Sequence, residues 1–198
     1  WISGDHKENH LEIQRALKLL EKYPDNIANV IVGNETLLRA DLNEEELFAY
    51  IDFVAEFTNK PITCAETWDV WERIPNLAKH VDFITIHILP YWEKVPIDRF
   101  NDFIIEKYSL VENLFPYKKI NIGETGWPSH GYNNNNAVPS LKNQAVAIRG
   151  FINLASQKGW DYNIVEAFDQ QWKGYDEGNV GQYWGIFTSD RELKFYLS

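Results

Sequence analysis

Four glutamates in this sequence each follow a short apolar run: Glu35 after Val30-Ile31-Val32, Glu66 after Pro61 to Ala65, Glu124 after Lys119 to Ile122 and Glu166 after Tyr162 to Val165. His87 stands near the end of a further run, Val81 to Ile88. Paired carboxyl groups suit glycoside cleavage. With retention of configuration, one protonated acid donates to the leaving oxygen and one carboxylate attacks the anomeric carbon, the two lying about 5–5.5 Å apart. Spacing alone does not select a pair from four. The plainer reading is that acids at helix starts complement the helix dipole, but four at equivalent positions, flanked by Trp, Tyr or Gly, argue for a shared site.

Local context separates the four. In Val32-Gly33-Asn34-Glu35 an amide directly precedes the acid, and Asn34 is placed to hold a sugar hydroxyl. In Gly123-Glu124-Thr125-Gly126-Trp127-Pro128-Ser129 the acid lies between glycines, which let the backbone approach a ligand, and Trp127 offers a flat ring for a sugar face. Glu66 and Glu166 are read as sugar contacts whose charge helps keep one carboxyl protonated near neutrality. Trp68 and His87 join the binding set. Trp92, Trp172 and Trp184 divide between sugar stacking and core. A metal site of His87 with Glu66 and Glu124 lacks tight ligand spacing and is set aside. His6, His10, His80 and His130 are read as surface residues.

The elements that must position these groups alternate. Asn9 to Tyr23, Leu42 to Phe57, Asp98 to Leu114 and Ser140 to Gln157 carry helical apolar periodicity, with Asn43 and Ser140 as N-caps. The runs between them are apolar throughout, as in a parallel sheet covered on both faces. Strand ends recur about every 33 residues, close to the roughly 31 per unit of a (β/α)8 barrel. No glycine-rich phosphate loop follows any strand, which argues against a doubly wound sheet. In a barrel, positions just after the strands share the C-terminal mouth, where catalytic groups collect. Asn133 to Asn136 reads as a flexible surface loop.

Composition narrows the partners. The 198 residues carry a net charge of −10, which disfavours nucleic acid, anionic membrane surface and polyanionic substrates. Eight Trp and ten Tyr suit a neutral sugar polymer. Cys64 is the single cysteine, so neither an intrachain disulfide nor a cysteine zinc site is available. No apolar run is long enough to span a bilayer. No cofactor or metal is expected. The absence of any Met and the start at Trp1 suggest an excised or processed piece. The lack of a leader therefore says nothing of the parent protein, whose compartment stays open, an exported bacterial parent being one reading.

The motifs Val32-Gly33-Asn34-Glu35 and Gly123-Glu124-Thr125-Gly126-Trp127-Pro128-Ser129 resemble those of glycoside hydrolase family 17. His87 to Glu93 and Glu166-Ala167-Phe168-Asp169-Gln170 with Trp172-Lys173 resemble its bacterial branch. The resemblance runs from Trp1 to the end. It implies a retaining enzyme on β-1,3-glucan, with Glu35 as acid/base after the fourth barrel strand and Glu124 as nucleophile after the seventh. It further implies that Tyr91 hydrogen-bonds the nucleophile, that Asn34 binds the 2-hydroxyl, and that Lys173 and Glu177 supply supporting polar groups; Gln170 and Lys173 are counted with the substrate-binding residues. The interval from Lys173 to Glu177 is shorter than in plant members, which weakens the assignment of Glu177. On that numbering Trp1-Ile2 would end the third strand. The chain is then one catalytic domain, residues 1–198, of a (β/α)8 barrel without its first two strand–helix units, and those units of the same protein would be its partner. Two other readings compete: glucan transglycosylation by the same glutamates, and a non-catalytic glucan-binding barrel.

Overall fold

The computed structural model describes residues 1–175 and 177–197. Among the described residues five strands and five helices alternate: α1 His6–Lys22, β1 Val30–Asn34, α2 Glu44–Glu56, β2 Ile62–Thr67, α3 Trp68–Arg73, β3 Ile84–His87, α4 Phe100–Leu114, β4 Ile120–Thr125, α5 Leu141–Lys158 and β5 Asp161–Ile164. The strands are hydrogen-bonded in chain order, β1-β2-β3-β4-β5. This is the parallel α/β arrangement of a TIM-type barrel. The short α3 and four 3-10 turns, at Pro75–Lys79, Ile97–Arg99, Gln171–Tyr175 and Gly178–Tyr183, are too brief for hydrophobic periodicity to reveal. Trp1 and Ile2 form no strand, contrary to expectation; the Ile2 carbonyl instead accepts from the Thr36 hydroxyl at 3.3 Å.

Helix ends are set by local chemistry. Asp5 caps α1 by accepting from the N–H groups of Lys7 and Glu8, and Pro24 follows the end of that helix. Asn43 and Glu46 cap α2 reciprocally, at 2.9 and 3.0 Å. Ser140 accepts from the Asn143 N–H at 3.0 Å to start α5, and Gly159 ends it at φ +67°.

By packing, the chain forms two compact units. The first comprises residues 1–87 and 110–121. Its core gathers Leu47 and Ile51 of α2, Ile62 and Cys64 of β2, Trp71 of α3, and Ile84 and Ile86 of β3. Within it β1 and β2 run parallel, with Val30 opposite Ile62 and Asn34 opposite Ala65, and the register slips between Ile31 and Asn34. Gly33 lies in that slip at φ +86°; a Cβ there would come within 2.8 Å of the Thr36 hydroxyl. β2 and β3 are also parallel, with Glu66 opposite Ile86 and Thr67 opposite His87. The second unit comprises residues 88–109 and 122–198. Tyr91, Ile104, Ile122, Trp127, Phe151, Val180 and Trp184 form its core. Within it the Ile88 N–H donates to the Glu124 carbonyl and the Val165 N–H to the Thr125 carbonyl, both at 2.9 Å.

Candidate active site

In the first unit the slip in β1 sets the geometry. Glu35 follows the strand at φ +53°, and its N–H donates to the Ala65 carbonyl at 2.7 Å. The chain then turns at once, with the Arg39 N–H on the Glu35 carbonyl at 2.9 Å. Glu35 keeps 22% of its side chain exposed, and one carboxylate oxygen lies 2.7 Å from Nδ1 of His87, which is 2% exposed. His87, expected to touch sugar, is therefore a buried partner of Glu35. Asn34 is half-buried, and its carbonyl accepts from Arg39. Trp68 opens α3 and is half-buried.

Glu66 corrects another expectation. It is fully buried, with no surface to offer a sugar. Its two oxygens accept from successive backbone N–H groups on the turn after Glu35: Leu37 at 2.7 Å and Leu38 at 3.3 Å. Burial pushes its pKa up to about 7, against the lowering effect of those two bonds; the Glu35 charge raises it further and His87 lowers it. The adjacent thiol of Cys64 is raised as well, first by burial and then by Glu66.

In the second unit Glu124 is half-buried near the end of β4. Gly126 has a reason other than ligand approach: an added Cβ would lie 2.2 Å from the Val165 carbonyl oxygen. Trp127 is no sugar platform. It is fully buried, its Nε1 donates to the Val138 carbonyl at 3.1 Å, and Tyr91 and Phe100 pack against it edge-on. Trp184 is likewise core. Tyr91 is fully buried, and its hydroxyl proton goes to the Tyr132 carbonyl at 2.7 Å rather than to Glu124. Asn134 donates to the carbonyls of Tyr91 and Trp92 at 2.9 and 3.3 Å, and its N–H donates to the Ala137 carbonyl. The segment read as a loose loop is thus a turn that fixes Tyr91, a role an asparagine run does not announce.

Glu166, beyond β5, accepts from Gln170 and, at 3.0 Å, from Lys173. Its Oε1 is buried without a protein partner among the described residues. Gln170 and Lys173 therefore address Glu166. Glu177 stands at the start of the 3-10 turn from Gly178, and its N–H donates to the Lys173 carbonyl. Trp172 and Trp92 are exposed, at 61% and 36%, as are Phe168, Tyr132 and Tyr175 of the same unit. Sequence reasoning missed Asp169, Ser129 and Lys194: the Lys194 ammonium lies 2.6 Å from Asp169 and 2.8 Å from the Ser129 hydroxyl. A separate groove of about 490 Å³ runs between α1 and α2, lined by His6, Ile13, Tyr50, Phe53 and Phe57 among others, and none of the four glutamates lines it.

Acids at strand ends of a parallel α/β sheet lie where active sites of such folds collect, and similarity to known proteins identifies the family. Residues 1–185 match the BtgE/BtgC glycoside hydrolase domain, and the chain belongs to that family, within glycoside hydrolase family 17. It is similar to the glucan 1,3-beta-glucosidases of Schizosaccharomyces pombe (29% identical, covering 98% of this chain and 65% of that protein) and Saccharomyces cerevisiae (28%, covering 86% and 62%). The chain thus spans a little under two thirds of each relative's length. Among solved structures it resembles the glycoside hydrolase family 17 beta-1,3-glucanosyltransferase from Rhizomucor miehei, with a TM-score of 0.89 at 28% identity, covering 100% of this chain and 74% of that one. An active-site mutant of the Rhizomucor enzyme in complex with laminaritriose aligns with a TM-score of 0.83 at 26% identity, covering 94% and 71%.

Proposed function

We propose that this chain carries the catalytic acids of a retaining enzyme on β-1,3-glucan, with Glu124 as nucleophile and Glu35 as acid/base. The observation that carries the reading is that each acid stands at the C-terminal end of a parallel strand, within the motif that resembles family 17. Glu124 attacks the anomeric carbon and forms a glucosyl-ester bond, while Glu35 gives its proton to the departing sugar oxygen. Glu35 then takes a proton from the incoming hydroxyl, which displaces Glu124. Water as acceptor gives hydrolysis; a second sugar gives transfer. The similar proteins carry both kinds of name, glucosidase and glucanosyltransferase, so both outcomes belong to the proposal. The laminaritriose bound by the Rhizomucor mutant supports a β-glucan oligosaccharide as ligand.

Around that pair we assign Asn34 to the sugar 2-hydroxyl, Trp68 and the exposed Trp172 to sugar faces, and Glu166 to a sugar hydroxyl through the small part of its side chain left exposed rather than through the buried Oε1. Gln170 and Lys173 hold Glu166. The test uses two variants and short β-1,3-gluco-oligosaccharides. Glu124→Ala should abolish turnover, and azide should restore it slowly with the opposite anomer as product. Glu35→Ala should lose kcat/KM on the oligosaccharides but keep it on an aryl glucoside whose leaving group needs no proton, since kcat/KM reports the first step alone. Equal behaviour of both variants on the activated substrate would overturn the assignment. Product length in the wild type separates hydrolysis, which shortens, from transfer, which lengthens.

A further inference from the structure

Glu66 faces no solvent, yet both of its oxygens are spent on one short stretch of backbone. Leu37 and Leu38 are the second and third residues after Glu35, and their N–H groups point at Oε1 and Oε2 at 2.7 and 3.3 Å. The same turn is held from the β2 side by the Glu35 N–H on the Ala65 carbonyl, and Ala65 immediately precedes Glu66. Glu35 lies in the left-handed backbone region, where a residue with a side chain is strained unless its surroundings hold it. On β3, His87 meets the Glu35 carboxylate from the other end. The turn bearing Glu35 is therefore tied to its neighbouring strand by three backbone N–H groups, two of them through one buried side chain.

We propose that Glu66 is the positioning residue of the acid/base: it clasps the turn that carries Glu35 and so fixes where the Glu35 carboxyl stands relative to His87 and to the departing sugar oxygen. The clasp needs two acceptors on one rigid fork, which a carboxylate supplies and an amide does not. In Glu66→Gln the amide nitrogen faces a backbone N–H, and two donors then oppose each other. The titratable groups around Glu66 are Glu35 on the turn, His87 on β3 and Cys64 on its own strand. The inference rests on the reading of Glu35 as acid/base.

The experiment is steady-state kinetics of Glu66→Gln and Glu35→Ala, in the full-length protein, on a β-1,3-gluco-oligosaccharide and on an activated aryl glucoside. The second step, in which Glu35 takes the proton of the incoming hydroxyl, is common to both substrates and limits kcat when the leaving group is activated. The two are therefore compared in kcat/KM, which reports the first step; there a misplaced acid slows only the substrate that needs a proton. Glu66→Gln should therefore lose roughly 10- to 100-fold in kcat/KM on the oligosaccharide, the scale of a misplacement of about 1 Å. It should lose less than about 3-fold in kcat/KM on the aryl glucoside, whose leaving group takes no proton. Equal losses on both substrates, or none on either, overturn the inference. If Glu35→Ala itself shows no such selectivity, it is the acid/base reading that falls. Should Glu66→Gln fail to fold, Glu66→Asp is read by the same ratio: it keeps the charge and loses the reach, and a wild-type ratio there overturns the clasp.

Discussion

At the scale of single residues, the site is governed by what burial does to acids and rings. Glu66 shows this most clearly. Its pKa of about 7 lies above the roughly 4.3 of an unfolded glutamate, so the folded state binds this proton more tightly than the unfolded one. The contribution to stability is whole below pH ~4 and is lost as pH rises through 7. Its size is on the order of 3 kcal/mol, since Glu66 is fully buried. Denaturant unfolding at pH 5 and pH 8 should therefore show the wild type losing about 2–3 kcal/mol more than Glu66→Gln over that interval. A parallel pH dependence in the two proteins would mean that burial is not felt by this carboxyl. The same comparison shows what the sequence could disclose. The flanks of Glu35 and Glu124, an amide before one and glycines about the other, mark them without coordinates. Glu66 bears the same outward signs, an acid after an apolar run and before Thr67-Trp68, and yet is buried. A strand covered on both faces gives no alternation from which the direction of a side chain could be read. Trp127 misleads for a related reason: glycine and proline beside a ring suggest an exposed turn, whereas here the ring lies wholly in the core.

At the scale of elements, glycines decide how closely β4 and the segment after β5 can approach. Gly126 and Gly159 make a pair with opposite causes. A Cβ at Gly126 would meet the Val165 carbonyl at 2.2 Å and Trp184 at 3.4 Å, so an alanine must push β4 and the following segment away from β5. Gly159, by contrast, has nothing within 4 Å of the added atom and is special only in its φ of +67°. Gly159→Ala should therefore cost about 1 kcal/mol, the left-handed penalty alone, and lower the melting temperature by about 2–4 °C with turnover unchanged. Gly126→Ala should cost about 1–3 kcal/mol or more and also lower kcat, because Glu124 lies two residues away on the displaced strand. Similar losses from both variants in thermal melts, with kcat intact in both, would contradict the close approach. The helices were legible from the sequence because their periodicity is long and their caps, Asn43 and Ser140, are local. The 3-10 turns and α3 were not, since three to six residues carry no period, and the tertiary surroundings choose their shape.

At the scale of the whole molecule, the last stretch of chain is held by an interaction that no motif predicts. The family match ends at residue 185, and the residues beyond it fold back along the segment that carries Glu166. The Ile186 and Phe187 N–H groups donate to the Glu166 and Ala167 carbonyls at 2.9 and 2.8 Å, and the Lys194 N–H returns to the Ile186 carbonyl at 3.1 Å. Lys194 closes this fold-back by reaching Asp169 and Ser129, the latter three residues after Gly126. Both charged side chains are only 7% exposed, and burial lowers the lysine's pKa despite the attraction of Asp169. A pair this buried contributes little net stability when whole, but removing one partner leaves an uncompensated charge, at a cost of about 3–5 kcal/mol. Lys194→Met should show that loss in thermal or denaturant unfolding. Asp169 would keep the Gly185 N–H at 3.0 Å as its remaining donor in place of the ammonium. Adding Asp169→Asn to Lys194→Met removes the stranded charge, so the double variant should regain a good part of what the single variant loses. The coupling should also reach the site. With the fold-back loosened, limited proteolysis should cut within 188–194, and KM for long glucans should rise through Glu166 more than kcat falls. If the single variants simply add and the tail resists proteolysis, the buried pair is not what holds this end of the chain.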